Sequence, residues 1–572
     1  MPPRSRGPPG RRQPSLSTII TALRTSIGLL TLAAISSPIS QATLAPVFGA
    51  IPSAINHHVA VIASALLGFN LGHLCHNVGG PRVAQWTAIW TFWIPVVQMY
   101  LFRYSSTLGL VGGPALIGFL SCHMIIVPSV YAAANALEAL NLKTTLGAAW
   151  AVFLSTTLGV FYLTSVETWF QAELPGWMAE SDLLNPIQLQ LVLAVAYVLL
   201  ARSKWTILIV PALLHTSFRN PHFHAARTFS LLDQTLRAHN WTILDRSWSN
   251  TGYISVLENV DLQYRALRCD HSLLGGEWQI TEARRAEGWT VNEPIFAVFD
   301  MLEAVRLIEM EPMIPDREAH ALIIGLGIGT APKAFFEHGI ESVVLELDPV
   351  VEQYARKHFG LPREQRVEIA DAVQWVSRTP KLQRFNYIIH DVFTGGAEPL
   401  ALFTEKFLSN LRALLEVDGV IALNYAGTLN ALLTTRALNT IYKVFDGQCR
   451  LFRESPAEDK SIVSSAATDD DFSNIVVFCR NSPGPITFRN PIEADFLGSW
   501  SRRQHLLPKP ESEIQFPRHR QGVAGEAQRS ESHPQVLKAG EEKSWLKQQA
   551  ESAKRHWHVM RREIPDAVWE LW

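Results

Sequence analysis

The sequence predicts two parts of different fold class: an N-terminal all-α bundle of about six transmembrane helices and a C-terminal α/β domain with a doubly wound sheet. Three observations support this division. Apolar stretches recur up to about residue 215, strand-like and helix-like patterns alternate after residue 316, and glycines separate a strand from a helix at 325–329. At 572 residues, the chain is also too long for one compact domain.

The N-terminal segment, residues 1–17, is rich in proline, glycine and arginine, a composition that predicts disorder. Arginines without any acid also fit an organelle presequence, although the prolines argue against the amphipathic helix that a presequence needs. The sequence therefore favours a disordered basic flank ahead of the first apolar segment.

Six apolar segments follow and predict a transmembrane domain over residues 18–215. Five are near or above the roughly 20 residues that cross a bilayer, at about 26–48, 52–72, 84–103, 108–135 and 145–165. The sixth, at 187–200, is shorter and is followed by Arg202 and Lys204. We expect residues 205–215 to lie at the interface, because a seventh crossing would draw both cations into lipid.

The basic residues predict how this domain is oriented. With a cytosolic N-terminus, nearly all lysines and arginines of the loops fall on the cytosolic side, and the acidic loop 167–182 falls on the other side. An even number of spans then places the rest of the chain in the cytosol. The kind of membrane is left open.

The histidines and cysteines predict no metal site. The histidines at positions 57, 58, 73, 76 and 123 lie in or near the apolar segments without an acid beside them, which favours an anchor over an ion pathway. The five cysteines, at 75, 122, 269, 449 and 479, have no paired spacing, so neither a zinc site nor a disulfide framework is expected. A reducing compartment fits this pattern.

Residues 227–315 predict a small β region followed by a linking helix. β-Branched and aromatic residues alternate with turn clusters as far as Trp278, which is typical of short antiparallel strands. Residues 293–310 carry apolar side chains at helical spacing and lead into the next strand.

The domain at 316–495 opens with a nucleoside-binding pattern. A short apolar strand at 321–324 precedes three alternate glycines, Gly325, Gly327 and Gly329, and a helix that ends near Gly339. A second strand ends at Glu346, about 20 residues on, where an acid can hold ribose hydroxyls. This order predicts a Rossmann-like domain with the glycines at a bound nucleoside, against the alternative of a tight structural turn.

Further strands at 367–371, 385–391, 419–427, 448–453 and 474–480 bring the predicted sheet to about seven. Residues 455–472 are predicted to form a solvated loop, and residues 496–572 a polar tail with a helix at 543–562 and an aromatic end that docks.

Carboxylates at neighbouring strand ends predict the ligand. Because the carboxyl ends of parallel strands share one crevice, Glu346, Asp371 and Asp391 are expected to face the same ligand. Asp371 suits an adenine amine, with the Ala372 amide beside the ring, and Asp391 is left for the reacting centre; a helix N-cap is the alternative for each. No lysine follows the glycines in phosphate-loop spacing, whereas carboxylates attract a sulfonium. S-adenosylmethionine or its decarboxylated form is therefore favoured over NAD.

Four motifs resemble the spermidine/spermine synthase family of polyamine aminopropyltransferases. They are GLGIGTAP, VLELDPVV, the Ala370-Asp371-Ala372 turn and YIIHDVFTGGAEPLALFTEKFLSNLRALLEVDGVIALN, and the resemblance spans about 240–480 in a membrane-anchored version. It implies a class I methyltransferase-type fold and transfer of an aminopropyl group from decarboxylated S-adenosylmethionine to an amine. It also implies that Glu346 binds ribose, Asp371 binds the adenine amine, and Asp391 is the base.

Two positions depart from the family pattern. The family usually has an acid where Ile328 stands, facing the amine, and a second acid where Thr394 stands. His390, Glu398 and Asp270 are the residues that we expect to compensate in binding the substrate.

The leading function from sequence is therefore aminopropyl transfer to a polyamine-type amine. Methyl transfer from S-adenosylmethionine to another substrate is the first alternative, because the same sheet supports it, and a non-catalytic membrane scaffold or sensor is the second. The expected partners are a small-molecule amine and a membrane, a homodimer is left open, and nothing indicates nucleic acid or a metal.

Overall fold

The computed structural model of the protein describes residues 14–75, 79–202, 205–380, 383–393, 396, 398–454, 472–517 and 535–572. The chain divides into two units. The first comprises Met1–Leu44, Asn56–Trp177 and Leu183–Phe229, and the second comprises Ala45–Ile55, Met178–Asp182 and Ser230–Trp572. Of the predicted features, most of the N-terminal flank, nearly all of the loop at 455–472, His76, Lys204 and Thr394 lie outside the described residues.

The N-terminal region is helical. Its α-helices are α1 (Leu16–Phe48), α2 (Ala50–Ala54), α3 (His57–Leu74), α4 (Gly80–Phe102), α5 (Ser105–Gly118), α6 (Met124–Leu137), α7 (Leu142–Leu146), α8 (Ala148–Glu180), α9 (Pro186–Ala201) and α10 (Val210–Arg219). A π-helical turn, Phe119–His123, joins α5 to α6.

The predicted apolar segments fall on these helices, which confirms an apolar helical region. Within the described residues, four stretches are long and apolar enough to cross a membrane: Leu16–Phe48, Ala50–Leu74, Ser105–Leu140 and Ala148–Glu180. Pro186–Ala201 and Thr206–Arg219 are shorter apolar helices. The predicted count of six membrane crossings stays a prediction, because these measures concern length and composition only.

Acids do accompany the histidines of the helical unit, contrary to our expectation. Glu167 accepts a hydrogen bond from Ser37 at 2.5 Å and lies 3.2 Å from His58 Nδ1. Ser37 in turn lies 2.7 Å from His57 Nε2, and His73 Nδ1 lies 3.0 Å from Glu138. The sequence did not predict this because both acids come from segments distant in the chain from the histidines that they contact.

The second unit begins with a small antiparallel sheet, as predicted. After α11 (Ala226–Arg237), five strands pair in chain order: β1 (Trp241–Ser249), β2 (Gly252–Asn259), β3 (Tyr264–Cys269), β4 (Ser272–Trp278) and β5 (Glu293–Pro294). Helix α12 (Glu282–Ala286) lies between β4 and β5.

The predicted linking helix at 293–310 is shorter than expected. Residues 293–294 form β5, and the α-helix is only α13 (Val298–Leu302), followed by a 3₁₀ turn at Glu303–Leu307. Pro294 explains the late start, because a proline pushes the residue before it into an extended conformation.

Within the described residues, the main sheet has eight strands, in the order β13-β11-β12-β10-β9-β6-β7-β8. In chain order its elements are β6 (His320–Ile324), α14 (Thr330–Glu337), β7 (Glu341–Glu346), α15 (Pro349–His358), β8 (Arg366–Ile369), α16 (Ala372–Arg378), β9 (Phe385–His390), α17 (Glu405–Arg412), β10 (Leu415–Thr428), α18 (Leu432–Val444), β11 (Cys449–Arg453), β12 (Phe472–Arg480), α19 (Trp500–His505), β13 (Glu513–Ile514), α20 (Leu546–Glu563) and α21 (Asp566–Glu570). All seven predicted strands are present, and the two-residue strand β13 is the addition.

The order of the parallel strands reverses between β6 and β9. From β6 the chain moves outward to β7 and β8, then returns to β9 on the other side of β6 and continues to β10. Side chains alternate between the two faces, so that Ile323 joins one apolar core and Leu322 and Ile324 join the other. A ligand site is expected where the order reverses, at the carboxyl ends of β6 and β9.

A disulfide links Cys449 of β11 to Cys479 of β12, which corrects the expectation of no disulfide. The two cysteines stand directly opposite each other in the antiparallel register. Their separation of 30 residues gives no sign of pairing in the sequence. Strand pairing brings them together.

The aromatic C-terminus is docked, as predicted. The Trp572 ring lies 5.5 Å from the Trp248 ring. The buried guanidinium of Arg268 donates to the backbone oxygens of Val568 at 2.9 Å and Trp569 at 3.0 Å. These bonds anchor the chain end that follows α20 to the small sheet.

Candidate active site

The glycine turn after β6 brings two strand ends into contact. Gly325 has a φ of +92°, and its N–H donates to the Leu345 oxygen at 2.9 Å. A Cβ atom at Gly325 would lie 1.9 Å from the Asp391 backbone oxygen. Only glycine therefore fits at this position, and the turn sets β6 directly against the end of β9.

Glu346 is held rigidly at the end of β7. One carboxylate oxygen accepts the Leu326 N–H at 3.0 Å, and the other accepts the Asp348 N–H at 2.9 Å. Burial raises the pKa of Glu346 to about 7, and the backbone hydrogen bonds oppose this rise. A fixed carboxylate with free lone pairs suits the hydroxyls of a ribose.

Asp371 both caps a helix and faces the cavity. It is the N-cap of α16 and accepts the Val373 N–H at 2.8 Å. The N-cap role, which the sequence left open as the alternative to ligand binding, is therefore present. Ala372 and the exposed side chain of Leu347 line the same cavity beside it. An exposed polar group between apolar surfaces fits an adenine ring and its amine.

Asp391 is paired with Asn424, a residue that the sequence analysis missed. Asn424 Nδ2 donates to Asp391 Oδ1 at 2.8 Å. Burial raises the pKa of Asp391 to about 6, while this hydrogen bond acts to lower it. Asn424 lies level with Asp391 because Leu423 of β10 pairs with His390 of β9. The strand-end argument used for Asp391 could not have identified Asn424, because Asn424 lies inside β10 and not at its end.

These residues line one cavity of about 720 Å³ at the reversal of strand order. The structure brings together Gly325, Gly327, Glu346, Asp371, Ala372 and Asp391. Gly329 is instead the N-cap of α14, with a φ of +83°, outside the cavity wall. The volume is in the range of cofactor sites in general.

The three expected substrate residues do not line this cavity, which corrects their prediction. His390 is buried on the opposite face of β9, as strand alternation requires of a residue beside Asp391, and its ring packs on Phe403 at 4.9 Å. Glu398 accepts from Ser552 at 2.7 Å in a separate cavity of about 220 Å³. Asp270 accepts the Tyr253 N–H at 3.0 Å and stabilises a turn of the small sheet.

Ile328 packs into the apolar core. It is 2% exposed, and a Cβ atom at Gly275 of β4 would lie 3.1 Å from its Cγ1 atom. The family's acid at this position is therefore replaced by a contact between the glycine turn and the small sheet.

Part of the cavity wall is aromatic and was not predicted. Phe393 after β9, Phe472 of β12 and His556 of α20 line it together. Their ring centroids are 4.8 Å apart for Phe393 and His556, 5.6 Å for Phe472 and His556, and 6.1 Å for Phe393 and Phe472. No sequence signal joins three residues from such distant segments.

A carboxylate also stands in this part of the cavity wall. Glu454 accepts the Val298 N–H at 3.0 Å and the Asn474 side-chain amide at 2.9 Å. Among the residues that the structure describes, no cluster of three or more histidine, cysteine or acidic side chains could hold a metal ion.

The chain is similar to known transferases. The spermine/spermidine synthase domain matches residues 301–452. The N-terminal histidine N-methyltransferase of Emericella nidulans is 39% identical over 554 residues, which are 95% of this chain and 96% of that protein. The polyamine aminopropyltransferase of Vibrio vulnificus is 38% identical over 112 residues, 19% of this chain and 38% of that protein.

Among solved structures, the spermidine synthase of Thermotoga maritima aligns with 42% of this chain and 72% of its own at 19% identity, with a TM-score of 0.30. The full-length relative and the domain match are the findings that identify the family and the class of enzyme. The protein is a transferase with a C-terminal methyltransferase-like α/β domain. The chain belongs to the family of the Emericella nidulans N-terminal histidine N-methyltransferase, and within it carries a spermine/spermidine synthase domain.

Proposed function

We propose that this protein transfers a methyl group from S-adenosylmethionine to the imidazole ring of an N-terminal histidine in a peptide or protein. The observation that carries the proposal is the relationship along nearly the whole chain, 95% of it, to a protein named as an N-terminal histidine N-methyltransferase. The match to a polyamine aminopropyltransferase covers only 19% of the chain.

The replacement of an acid by Ile328 removes one of the carboxylates that the aminopropyltransferase family uses to hold its amine. A diamine carries two ammonium groups, and burying each of them without a carboxylate is costly. Ile328 offers none and faces the core instead of the cavity. His390, Glu398 and Asp270 also lie outside the cavity wall, so Glu454 and the exposed Glu563 are the carboxylates of the wall that remain for an ammonium beside Glu346, Asp371 and Asp391.

The residues at the nucleoside end of the cavity fit S-adenosylmethionine. Glu346 would hold the ribose, Asp371 and Ala372 the adenine, and the glycine turn leaves room for the backbone to approach the ligand. Bound there, S-adenosylmethionine would supply a methyl group whose bond to sulfur breaks as the bond to nitrogen forms. These assignments are the ones that the sequence motifs predicted.

Asp391 gives the acceptor imidazole the protonation state that it needs. An imidazole nitrogen attacks carbon only through a free lone pair, so the ring must be neutral and its proton must sit on the other nitrogen. The Asp391 carboxylate would accept that N–H and then take the proton after methyl transfer. Asn424 holds the carboxylate in place by its hydrogen bond.

Aminopropyl transfer remains the second candidate. The spermine/spermidine synthase domain match over 301–452 favours it, and Glu346, Asp371 and Asp391 suit both donors. A non-catalytic scaffold, the third alternative, is not retained, because the relatives are transferases.

We further propose that the helical unit anchors the enzyme in a membrane, since four of its stretches have the length and composition for crossing. The Cys449–Cys479 disulfide favours an oxidising compartment for the second unit, against the cytosolic side that the basic residues predict. With a cytosolic N-terminus, this location requires an odd number of crossings. The short apolar helix Thr206–Arg219, which we expected at the interface, would then have to supply the additional crossing.

The test is methylation of synthetic peptides by the full-length protein purified in detergent. We expect a peptide that begins with histidine to gain one methyl group on the ring of its first residue, located by fragmentation in the mass spectrometer. A peptide of the same composition with alanine first and histidine inside is the control. Absence of methylation, together with a lengthened polyamine from the decarboxylated donor, would overturn the proposal.

A further inference from the structure

The part of the cavity wall that is not formed by Glu346, Asp371 and Ala372, which we call its acceptor end, differs from them in chemical character. Three aromatic rings in mutual contact form part of it, and they come from the segment after β9, from β12 and from α20. A five-membered heterocycle is flat and packs well against rings whose centroids are about 4.5–7 Å from its own. The aromatic trio, Phe393, Phe472 and His556, therefore suits an imidazole held beside Asp391.

His556 enters this trio as a neutral ring. Its side chain is buried, and burial lowers its pKa to about 3. Its Nδ1 atom has no hydrogen-bond partner among the described residues. A neutral ring does not repel the imidazolium that methyl transfer generates, whereas a protonated one would.

Glu454 adds a carboxylate to the wall of the same cavity. Both of its oxygens already accept one hydrogen bond each, from Val298 N–H and from the Asn474 amide, so the carboxylate is oriented before any acceptor binds. Each oxygen keeps a further lone pair. A charge-assisted hydrogen bond to an ammonium is about twice as strong as a neutral one.

Glu563 is the other carboxylate at this end, on α20, and it is exposed to solvent. Screening by water and salt weakens the attraction of exposed charges. The oriented Glu454 is therefore the stronger candidate for pairing with a substrate ammonium.

We infer that this end of the cavity recognises both features of an N-terminal histidine: the aromatic trio packs on its ring, and Glu454 binds its free α-ammonium. The inference rests on the proposed function and names its specificity residues. It also makes α20 a specificity element of the enzyme, because that helix supplies His556. An acetylated N-terminus lacks the positive charge that Glu454 pairs with.

The experiment compares two labelled peptides that begin with histidine, one with a free and one with an acetylated amine. Binding to the full-length protein loaded with S-adenosylhomocysteine is followed by fluorescence anisotropy, and methylation is followed by mass spectrometry. We expect the free amine to bind about 10- to 100-fold more tightly, the range of a hydrogen bond to a charged group. Glu454→Gln should remove most of this difference, whereas Glu416→Gln, an exposed glutamate outside the cavity wall, should not.

For the aromatic trio, His556→Ala and Phe472→Leu should raise the KM of the histidine peptide while the affinity for S-adenosylhomocysteine stays within about threefold. His558→Ala, on the same helix but outside the cavity wall, is the matched control. Retained nucleoside affinity shows that a variant is folded.

Failure of this inference and failure of the proposed function give different results. Equal binding of both peptides, or Glu454→Gln behaving as the wild type, overturns the inference even if methylation occurs. Binding that depends on Glu454 without any methylation supports the inference and overturns the proposed function.

Discussion

Asp391 is the residue through which the cavity would act on its acceptor. Removing a catalytic base typically costs about 10²- to 10⁴-fold in rate. We therefore expect Asp391→Asn to lower kcat by that range and to leave the affinity for S-adenosylmethionine within about threefold, measured by calorimetry on the detergent-solubilised protein. Glu416→Gln is the control for a charge change away from the site. Near-normal turnover in Asp391→Asn would exclude this role.

The raised pKa of Asp391 sets the acid limb of the pH profile. Burial raises it to about 6, and catalysis needs both the ionised carboxylate and a neutral substrate imidazole. Below pH 6, a plot of log kcat/KM against pH should therefore have a slope of about two in the wild type, because two groups must lose a proton. The slope should be about one in Asp391→Asn, where only the substrate imidazole must do so. Asn424→Ala removes the hydrogen bond that lowers this pKa, so its acid limb should move to higher pH. An acid limb at the same pH as in the wild type would contradict an effect of the Asn424 hydrogen bond on the pKa of Asp391.

The same shift has a consequence for stability. An acid whose pKa is raised on folding favours the folded state fully below its unfolded value, and this contribution is lost as the pH rises through the folded value. Ionised Asp391 therefore costs stability above about pH 6. Asp391→Asn should melt at a higher temperature than the wild type at pH 8, and the difference should shrink toward pH 4. A lower melting temperature at pH 8 would contradict the burial of this carboxylate.

At the scale of elements, the turn between β6 and α14 depends on a glycine without a side chain. Gly325→Ala would place a Cβ atom 1.9 Å from the Asp391 oxygen, so β6 and β9 must separate. We expect it to weaken S-adenosylmethionine binding by at least about 100-fold. Gly288→Ala is the control, since Gly288 has a similar φ of +95° with nothing within 4 Å, and it should cost only about 1–2 kcal/mol of backbone strain. Normal binding in Gly325→Ala would mean that the strand ends are not in close contact.

The strand pattern of the sequence predicted some residues of the cavity and assigned others wrongly. Glu346, Asp371 and Asp391 were predictable because each ends or follows a strand of one parallel sheet, and a single rule places all of them at one edge. His390 was assigned to the cavity wrongly, because adjacent residues of a strand point to opposite faces. Glu398 and Asp270 were chosen for their charge alone, and their hydrogen bonds serve α20 and the small sheet.

Other site residues have no local signal in the sequence. His556 and Glu454 reach the cavity only because α20 and the end of β11 pack against it, and such packing depends on the whole fold. The Cys449–Cys479 pair likewise follows from the antiparallel register of β11 and β12.

At the scale of the whole molecule, the disulfide predicts the compartment of the second unit. Asn240-Trp241-Thr242 is an N-glycosylation acceptor, and Asn240 is exposed at the turn before β1. If this unit lies in the secretory lumen, enzymatic deglycosylation should lower the apparent mass of the wild-type protein on a gel but not that of Asn240→Gln. A non-reducing peptide map should contain the Cys449–Cys479 link. Two free thiols and no glycan on protein from its native membrane would instead restore the cytosolic prediction.

The identity of the transferred group is the central claim, and one reaction tests it directly. The full-length protein is given S-adenosylmethionine, decarboxylated S-adenosylmethionine, a peptide beginning with histidine, putrescine and spermidine together, and all products are identified by mass spectrometry. We predict S-adenosylhomocysteine and a ring-methylated peptide in equal amounts, with the polyamines unchanged. Methylthioadenosine with a lengthened amine, and an unmodified peptide, would contradict the account.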